Sequence, residues 1–333
     1  MRLDAIGFGS LNLDEFWEVS PEFLHSHGLK PGEEYVRDID WFSRVYPQLK
    51  AQGNLKGIDP GGSAANTIAA LFKMGFETGF YGATGKDDLK KIRPEELAKP
   101  ENLKIATSEF PAGRCLALIN SQDADRDRAL VILSNANDLA DFDETNVEYF
   151  VQAGWVHLTS FVSHKPLEAQ IKLVKSLPDD VSLSFDPGVI YSALGIDALQ
   201  PILSRTDVLF ITREELKSVT AEVDMEKGAA ELLALGTKNV LIKLSAEGLL
   251  AFQPEKSWSQ AAVPAAEVKD RTGAGDVAAA GFLAGKLKSL PFEACLELAA
   301  TAASKSIEGY GRSTYPNRKF LENFVAKWQG SHK

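Results

Sequence analysis

Cysteine is almost missing from this chain: two in 333 residues, Cys115 and Cys295, with no CxxC or CxxH spacing. That argues against a disulfide framework or a structural zinc site, and it fits a reducing compartment. Long apolar runs are missing too. The opening stretch, MRLDAIGFGSLNLDEF, has no apolar core long enough for a signal peptide, and nothing later approaches a membrane span, so a cytoplasmic protein is expected. Basic clusters are equally scarce. With 36 Lys and Arg against 46 Asp and Glu the net charge is -10, which speaks against a nucleic-acid or membrane-surface binder, since such binding depends on counterion release from basic patches. An acidic protein can still hold a phosphorylated ligand, because a helix N-terminus and backbone N–H groups bind phosphate without net positive charge.

What is present is ordinary globular material: 44% apolar residues, enough at this length to bury a sizeable core. Short apolar runs, LDAIGFG (3–9), GWVHLTS, VSLSFDPG, DVLFIT and NVLIKLS, have the length of buried strands. Between them lie helical stretches such as AANTIAALFKM (64–74), PLEAQIKLVKSL, REELKSVT and MEKGAAELLALG. This alternation predicts an α/β protein with a mostly parallel central sheet and helices on both faces. Two stretches break the alternation. Residues 12–56 are acidic and aromatic, and residues 105–134 contain RCLALINS and RALVILS joined by QDADRD, the pattern of a β-hairpin with a polar turn. They are expected to form a β-rich lid over a core made of residues 1–11, 57–104 and 135–333.

The chemistry concentrates in DRTGAGDVAAAGFLAG (270–285). At a strand-to-helix turn, Gly273, Ala274 and Gly275 would let the backbone approach a ligand closely, with the following amides pointing out of the helix N-terminus. Such an anion hole suits charge that develops during a reaction. A carboxylate beside it, Asp276, would repel a resting phosphate unless it accepts the proton of a hydroxyl attacking that phosphate. Asp276 as a plain helix-dipole partner is the alternative reading. The helix that follows is too apolar and too rich in small residues for a surface helix, so Gly281 and Gly285 point to close packing. A second glycine pair, Gly61 and Gly62 in DPGGSAANTIAAL, again precedes an apolar helix, with Asn66 one turn inside it. GSLNLDEF offers Asn12 and Asp14 just past the first strand, the usual ligand edge of an open α/β sheet.

Taken together these motifs resemble the ribokinase-like, or PfkB, family of carbohydrate and nucleoside kinases over nearly the whole chain. GSLNLD resembles the family's opening element, GGSAAN its substrate-side glycine motif, GATGKD (82–87) the turn that follows, and DRTGAGD its C-terminal signature. The resemblance implies a three-layer ribokinase-like fold using ATP and Mg²⁺. It makes Asp276 the base, and Gly273, Ala274 and Gly275 the anion hole. Asn12, Asp14, Gly61, Gly62 and Asn66 are then the acceptor contacts, Glu215 in TREE a magnesium organiser acting through water, and Lys243, Ser245 and Gly248 in IKLSAEG the lining of the triphosphate. Asp270 matches a position that holds a monovalent cation, K⁺, in some members. Three residues depart from the pattern: Thr212 stands where the family's NxxE element has asparagine, Ser245 replaces a common glycine, and Arg271 replaces a small or hydroxyl residue. The long, partly helical first insertion is similar to the adenosine-kinase-like branch.

The leading expectation is ATP-dependent phosphorylation of a hydroxyl on a small sugar. A nucleoside kinase on the same scaffold is the alternative, and a non-catalytic sugar or nucleotide sensor is the alternative of another class. A nicotinamide dehydrogenase fails on spacing, because GFGSLN has Asn12 where the third glycine belongs. Of the lid aromatics, Phe16, Trp17, Trp41, Phe42 and Tyr46 are available either to stack a base or to form the lid's own core. His25 and His27 read as solvated, His157 as a satisfied core histidine, and Asp186 as either a phosphate-facing residue or a turn initiator. The protein is expected to be a monomer or a lid-mediated homodimer.

Overall fold

The computed structural model describes residues 2–122, 128–141 and 146–331. In chain order its strands are β1 (Leu3–Phe8), β2 (Asn12–Val19), β3 (Glu34–Val36), β4 (Asn54–Gly61), β5 (Thr78–Gly85), β6 (Leu103–Ser108) and β7 (Gly113–Asn120). They continue with β8 (Arg128–Leu133), β9 (Ala153–Thr159), β10 (Ser182–Asp186), β11 (Val208–Thr212), β12 (Val240–Lys243), β13 (Leu249–Gln253) and β14 (Lys256–Gln260). The helices begin with α1 (Pro21–Ser26), α2 (Ile39–Gln52), α3 (Ser63–Lys73), α4 (Leu89–Ile92), α5 (Val147–Phe150) and α6 (His164–Ser176). They end with α7 (Gly188–Ser192), α8 (Gly195–Leu203), α9 (Arg213–Thr220), α10 (Met225–Ala234), α11 (Ala274–Leu287), α12 (Phe292–Ser306) and α13 (Arg318–Ser331).

Nine strands form one sheet in the order β14-β13-β12-β11-β10-β9-β1-β5-β6. All its pairs are parallel except those of β13, which runs against both β12 and β14. Alternate residues feed two cores. Trp155, Phe210 and Leu241 join α3, α11 and α12 on one face, while Val156, Leu158, Leu209, Ile211 and Ile242 join α6, α8, α9 and α10 on the other. That is why these strands read as continuous apolar runs. β1 pairs in parallel with both β5 and β9, so the chain departs to opposite sides at its carboxyl end and leaves a crevice there.

The second sheet has the order β3-β8-β7-β2-β4. Its outer face packs on α1 and α2 through Trp17, Phe23, Leu24, Val45, Leu49 and Leu118. Two expected boundaries differ. β6 belongs to the large sheet, in register with β5 from Phe80↔Leu103 to Gly85↔Ser108; as an edge strand it is half exposed, and its mixed LKIATS pattern imitates a lid strand. β4 belongs to the small sheet through pairing with β2. Its Gly57 and Pro60 read as loop, yet an edge strand with one partner tolerates proline. β7 and β8 pair antiparallel as the hairpin pattern predicts, and most of the joining QDADRD segment lies outside the described residues.

α11 is buried along its length from Val277 to Gly285. A Cβ on Gly281 would lie 2.8 Å from the Leu298 carbonyl oxygen and 2.9 Å from Ala299 Cα; one on Gly285 would lie 2.8 Å from Cys295 Sγ. Backbone contact of this kind leaves no flexible side chain to yield, so α11 is clamped on α12 and its first turn is fixed. Gly281→Val should destabilise the protein by about 1–3 kcal/mol through overpacking. The expected readout is a lower urea midpoint at unchanged slope; an unchanged midpoint would mean that the two helices separate at no cost.

Candidate active site

The base candidate sits where two glycine-led helices converge. Gly273 precedes α11 with φ +75, a left-handed conformation that glycine adopts without strain. No side chain caps this helix end; Ala274 N turns back to the Arg271 carbonyl at 3.3 Å, which leaves the Gly275 and Asp276 amides for a ligand. A Cβ at Gly273 would lie 2.9 Å from the Tyr315 hydroxyl and 3.3 Å from Asn66 Nδ2, so glycine is also needed for space. Ala274 and Gly275 form the first turn, and Asp276 follows, half-buried. Gly62 begins α3 with φ +101 and abuts the Ser10 carbonyl oxygen. One turn on, Asn66 Nδ2 donates to Asp276 Oδ2 at 2.9 Å and Thr67 Oγ1 donates to the Asp276 carbonyl at 3.1 Å. The polar positions inside α3 are therefore spent on holding α11.

Loss of hydration pushes the Asp276 carboxyl up to about 7; Asp186 adds to the shift, and Asn66, Lys243 and Arg312 oppose it. A carboxyl poised near neutrality is suited to taking a proton at physiological pH.

Lys243, at the end of β12, reaches Asp186 Oδ2 at 2.5 Å, and a Cβ on Gly275 would lie 3.5 Å from its Nζ. Burial alone would lower this ammonium, but Asp186 and Glu215 outweigh burial and hold it charged, above its ordinary value. Asp186 Oδ1 also accepts from Gly188 N at 3.3 Å, the contact of a turn initiator. Glu215 is buried at the start of α9, where its Oε2 accepts from Thr212 N at 2.8 Å while Thr212 Oγ1 accepts from Glu215 N. This reciprocal cap explains a threonine in place of asparagine. Burial pushes the Glu215 carboxyl up and Lys243 pulls it down.

On the other side of Asp276 stands Asp14 of β2. Its carboxyl fills the space that a Gly61 side chain would need, and its Oδ1 is buried without a hydrogen-bond partner. Desolvation pushes it up to about 7; Arg312 opposes the shift, and Asp276, Asp270 and Asp59 add to it. Asn12 is already engaged, its Oδ1 accepting from Asn137 Nδ2 at 2.8 Å. Asp270 Oδ1 accepts from Thr272 N at 2.9 Å, while its Oδ2 and Thr272 Oγ1 are buried without partners. Ser245 (φ +52) lies exposed in a turn after β12. Gly248 (φ +100) is packed against the Gln260 carbonyl and Ala262 N, a backbone reason for glycine there. Arg271 is exposed.

The remaining candidates resolve simply. His157 Nδ1 bonds Ser184 Oγ at 3.0 Å, with Nε2 unpartnered, and burial pushes its pKa down to about 4, so it is a neutral core residue. His27 Nδ1 donates to the Phe23 carbonyl at 2.8 Å. Among the described residues no group of three His, Cys, Asp or Glu is placed to hold a metal without help. One residue escaped the sequence reading: Arg312, 8% exposed, whose Nε donates to Asn66 Oδ1 at 3.3 Å. Nothing in YGRSTYPNR marks it out, because its partners lie far away in sequence.

Residues 35–319 match the pfkB family of carbohydrate kinases. Among curated proteins the chain is 30% identical over 246 residues to an uncharacterized sugar kinase from Archaeoglobus fulgidus, covering 72% of this chain and 95% of that one. It is 24% identical over 344 residues to the adenosine kinase of Saccharomyces cerevisiae, covering 96% and 98% of the two chains. A solved structure of a probable sugar kinase from Rhizobium etli shares the fold with a TM-score of 0.83 at 20% identity, over 99% of both chains. The chain therefore belongs to the pfkB family, with a ribokinase-like fold. It is a phosphotransferase of the kind that acts on sugars or nucleosides.

The raised carboxyls carry a stability cost with a definite sign. A folded-state pKa near 7 for Asp14, against 3.8 ordinarily, means that the folded protein binds the extra proton in that window, so stability falls as pH rises through it. Asp14→Asn should raise the thermal midpoint at pH 8, with a much smaller gain at pH 5. Equal gains at both pH values would show that Asp14 is not held protonated.

Proposed function

We propose that the protein transfers the γ-phosphoryl group of ATP to a hydroxyl of a small sugar, with Asp276 as general base. The observation that carries this reading is the Asp276 carboxyl, tied by Asn66 at the uncapped N-terminus of α11 with the Lys243 ammonium alongside. Asn66 occupies Oδ2, which leaves Oδ1 to receive the acceptor proton. The α11 amides and Lys243 stabilise negative charge on the transferring group. Asp14, half-buried and with an unpartnered oxygen, orients a second acceptor hydroxyl. Magnesium, when bound, supplies further neutralisation of the phosphates, with Glu215 holding it through water; Asp270, through its buried free oxygen, suits a monovalent cation such as K⁺. No covalent intermediate is required.

The choice of a sugar rests on the lid. Trp17, Trp41, Phe42 and Tyr46 pack in the lid's own core against α1 and α2. Phe16 alone of the five shares the face of Asn12 and Asp14, as the alternating burial of β2 requires. A nucleoside acceptor is favoured only by the half-buried Leu130 and Ile132 of β8 on that same face. The cover of α1 and α2 over the outer face of the small sheet supports a monomer.

The test is ADP release with Mg-ATP across pentoses, hexoses, sugar acids and nucleosides. A sugar should be turned over. A nucleoside as the sole acceptor would transfer the reading to the nucleoside branch, and ligand binding without turnover would make the protein a sensor. Asp276→Asn should lower kcat by roughly 10²–10⁴-fold and keep ATP affinity. For the parent enzyme, kcat/KM should rise with pH to a plateau above about 7, because the base works ionised. A flat profile between pH 5 and 8 would remove Asp276 from that role.

A further inference from the structure

Among the described residues Arg312 is the one buried cation beside Asn66 and Asp14. It enters from the loop between α12 and α13, and only 8% of it is exposed. Its Nε donates to Asn66 Oδ1 at 3.3 Å, and its Nη1 lies 3.4 Å from Glu96 Oε2. The remaining nitrogen, Nη2, is buried with no partner. Asp14 Oδ1, also buried, has none either. Two buried polar atoms of opposite character, each without a partner, are costly unless something satisfies them. They are not placed to satisfy each other, since no Arg312–Asp14 ion pair forms.

The Nε bond has a second consequence. By taking Asn66 Oδ1, Arg312 fixes which way the Asn66 amide faces, so that Nδ2 must point at Asp276 Oδ2. Reversal of this amide would put two oxygens together and close the free face of the base. One guanidinium thus orients the residue that orients the base, and keeps a donor in reserve.

We propose that Arg312 is a specificity-determining and positioning residue: one acceptor hydroxyl bridges Arg312 Nη2 and Asp14 Oδ1, accepting from the first and donating to the second. The inference rests on the kinase reading above and deepens it. The substrate class it selects is a neutral polyol with a hydroxyl adjacent to the one phosphorylated. An acceptor lacking that hydroxyl leaves both protein groups unpaired and is rejected. An anionic substituent at that position is disfavoured by the Asp14 carboxyl itself and by the nearby charges of Asp276 and Asp270, which act on it. Arg312 is itself among the residues that line a cavity of about 450 Å³, together with Asp59, Lys73, Arg93, Tyr310 and Tyr315. Truncation of the side chain would therefore open onto a solvent-filled space.

Three variants test this. Arg312→Gln and Arg312→Lys should each raise the acceptor KM by about 10–100-fold, as expected for loss of a charge-assisted hydrogen bond, with the KM for ATP unchanged. Arg312→Lys keeps the charge, but its single nitrogen cannot reach three partners spread around a planar fork, so its loss isolates geometry. In Arg312→Ala, added guanidinium at tens of millimolar should enter through the cavity and restore part of the lost kcat/KM, while urea should not. An unchanged acceptor KM in Arg312→Gln, or equal losses for ATP and acceptor, would overturn the proposal. A substrate-independent arm separates this from failure of the kinase reading itself. Carbon-13 titration of the Asp14 and Asp276 carboxyls should show both pKa values moving up in Arg312→Gln and holding in Arg312→Lys. Unmoved carboxyls would sink the role of Arg312 whatever the enzyme turns over. Moved carboxyls in a parent protein that phosphorylates no acceptor would sink the kinase reading instead.

Discussion

The hydrogen bond from Asn66 to Asp276 joins two helices through residues 210 positions apart in the chain, and the arrangement of the site follows from it. For the two side chains to meet, α3 and α11 must begin at the same point above the sheet, each led by a glycine with positive φ. That convergence requires α11 to lie close to its neighbours, which is why Gly281 and Gly285 press on the backbone of α12. The precision of the base is thus set by helix packing, an interaction that no single active-site residue supplies.

The electrostatics of the site follow from the same crowding. Asp276 feels Asp186 and Lys243 on one side and Arg312 on the other; Glu215 acts on Lys243, and Asp270 and Arg312 act on Asp14. The cations divide the space. Lys243 is held by Asp186 and Glu215 on the side of the α11 amides, and Arg312 is held by Asn66 and Glu96 on the side of Asp14. Burial strips the carboxyls of water and the neighbouring acids add to the effect, so Asp14 and Asp276 are driven toward neutrality. This strain is useful in one place only: a base that is half ionised near pH 7 both accepts and returns a proton readily. The same excess of acid explains why a phosphate-handling protein can be acidic overall. In the proposed reaction the anion would be met by helix amides and one lysine, and the carboxylates would be left to the acceptor hydroxyls.

Legibility in the sequence divides along a physical line. Features produced by local chain geometry were readable: the strand–helix alternation, the two glycine turns, Asp276 and Asn66 one turn into their helices, and the packing glycines of α11. Features produced by long-range pairing were not. β6 carries an edge-strand pattern that fits either sheet until its partner is known, and the hydrogen bonds of β4 to β2 override the poor strand propensity of Gly57 and Pro60. Arg312 depends on contacts to Asn66 and Glu96 that leave no periodicity in YGRSTYPNR. Asn12 was legible as a polar residue at the right edge, but its engagement by Asn137 is a tertiary event. Glu215 shows the intermediate case. Its capping box with Thr212 is local, yet it was obscured because the expected asparagine was missing.

β2 shows how one strand can serve two environments and be locked in register by doing so. Its even positions, Asn12, Asp14 and Phe16, face the crevice; its odd positions, Leu13, Glu15, Trp17 and Val19, are buried toward the outer side. Glu15 is fully buried there and fully engaged, by the Arg114 guanidinium and by Trp17 Nε1 and Tyr46 Oη, each at 3.0 Å. A slip of one residue would exchange the two sets. It would carry Glu15 into a space already crowded with carboxyls and would leave Arg114 buried without its partner, a double cost of the kind that makes a broken buried ion pair strongly destabilising. The Glu15–Arg114 pair therefore helps to hold the register in which Asp14 is paired with Asp59 and its carboxyl lies against Gly61. The small sheet's own core against α1 and α2 thus fixes the strand that carries Asp14.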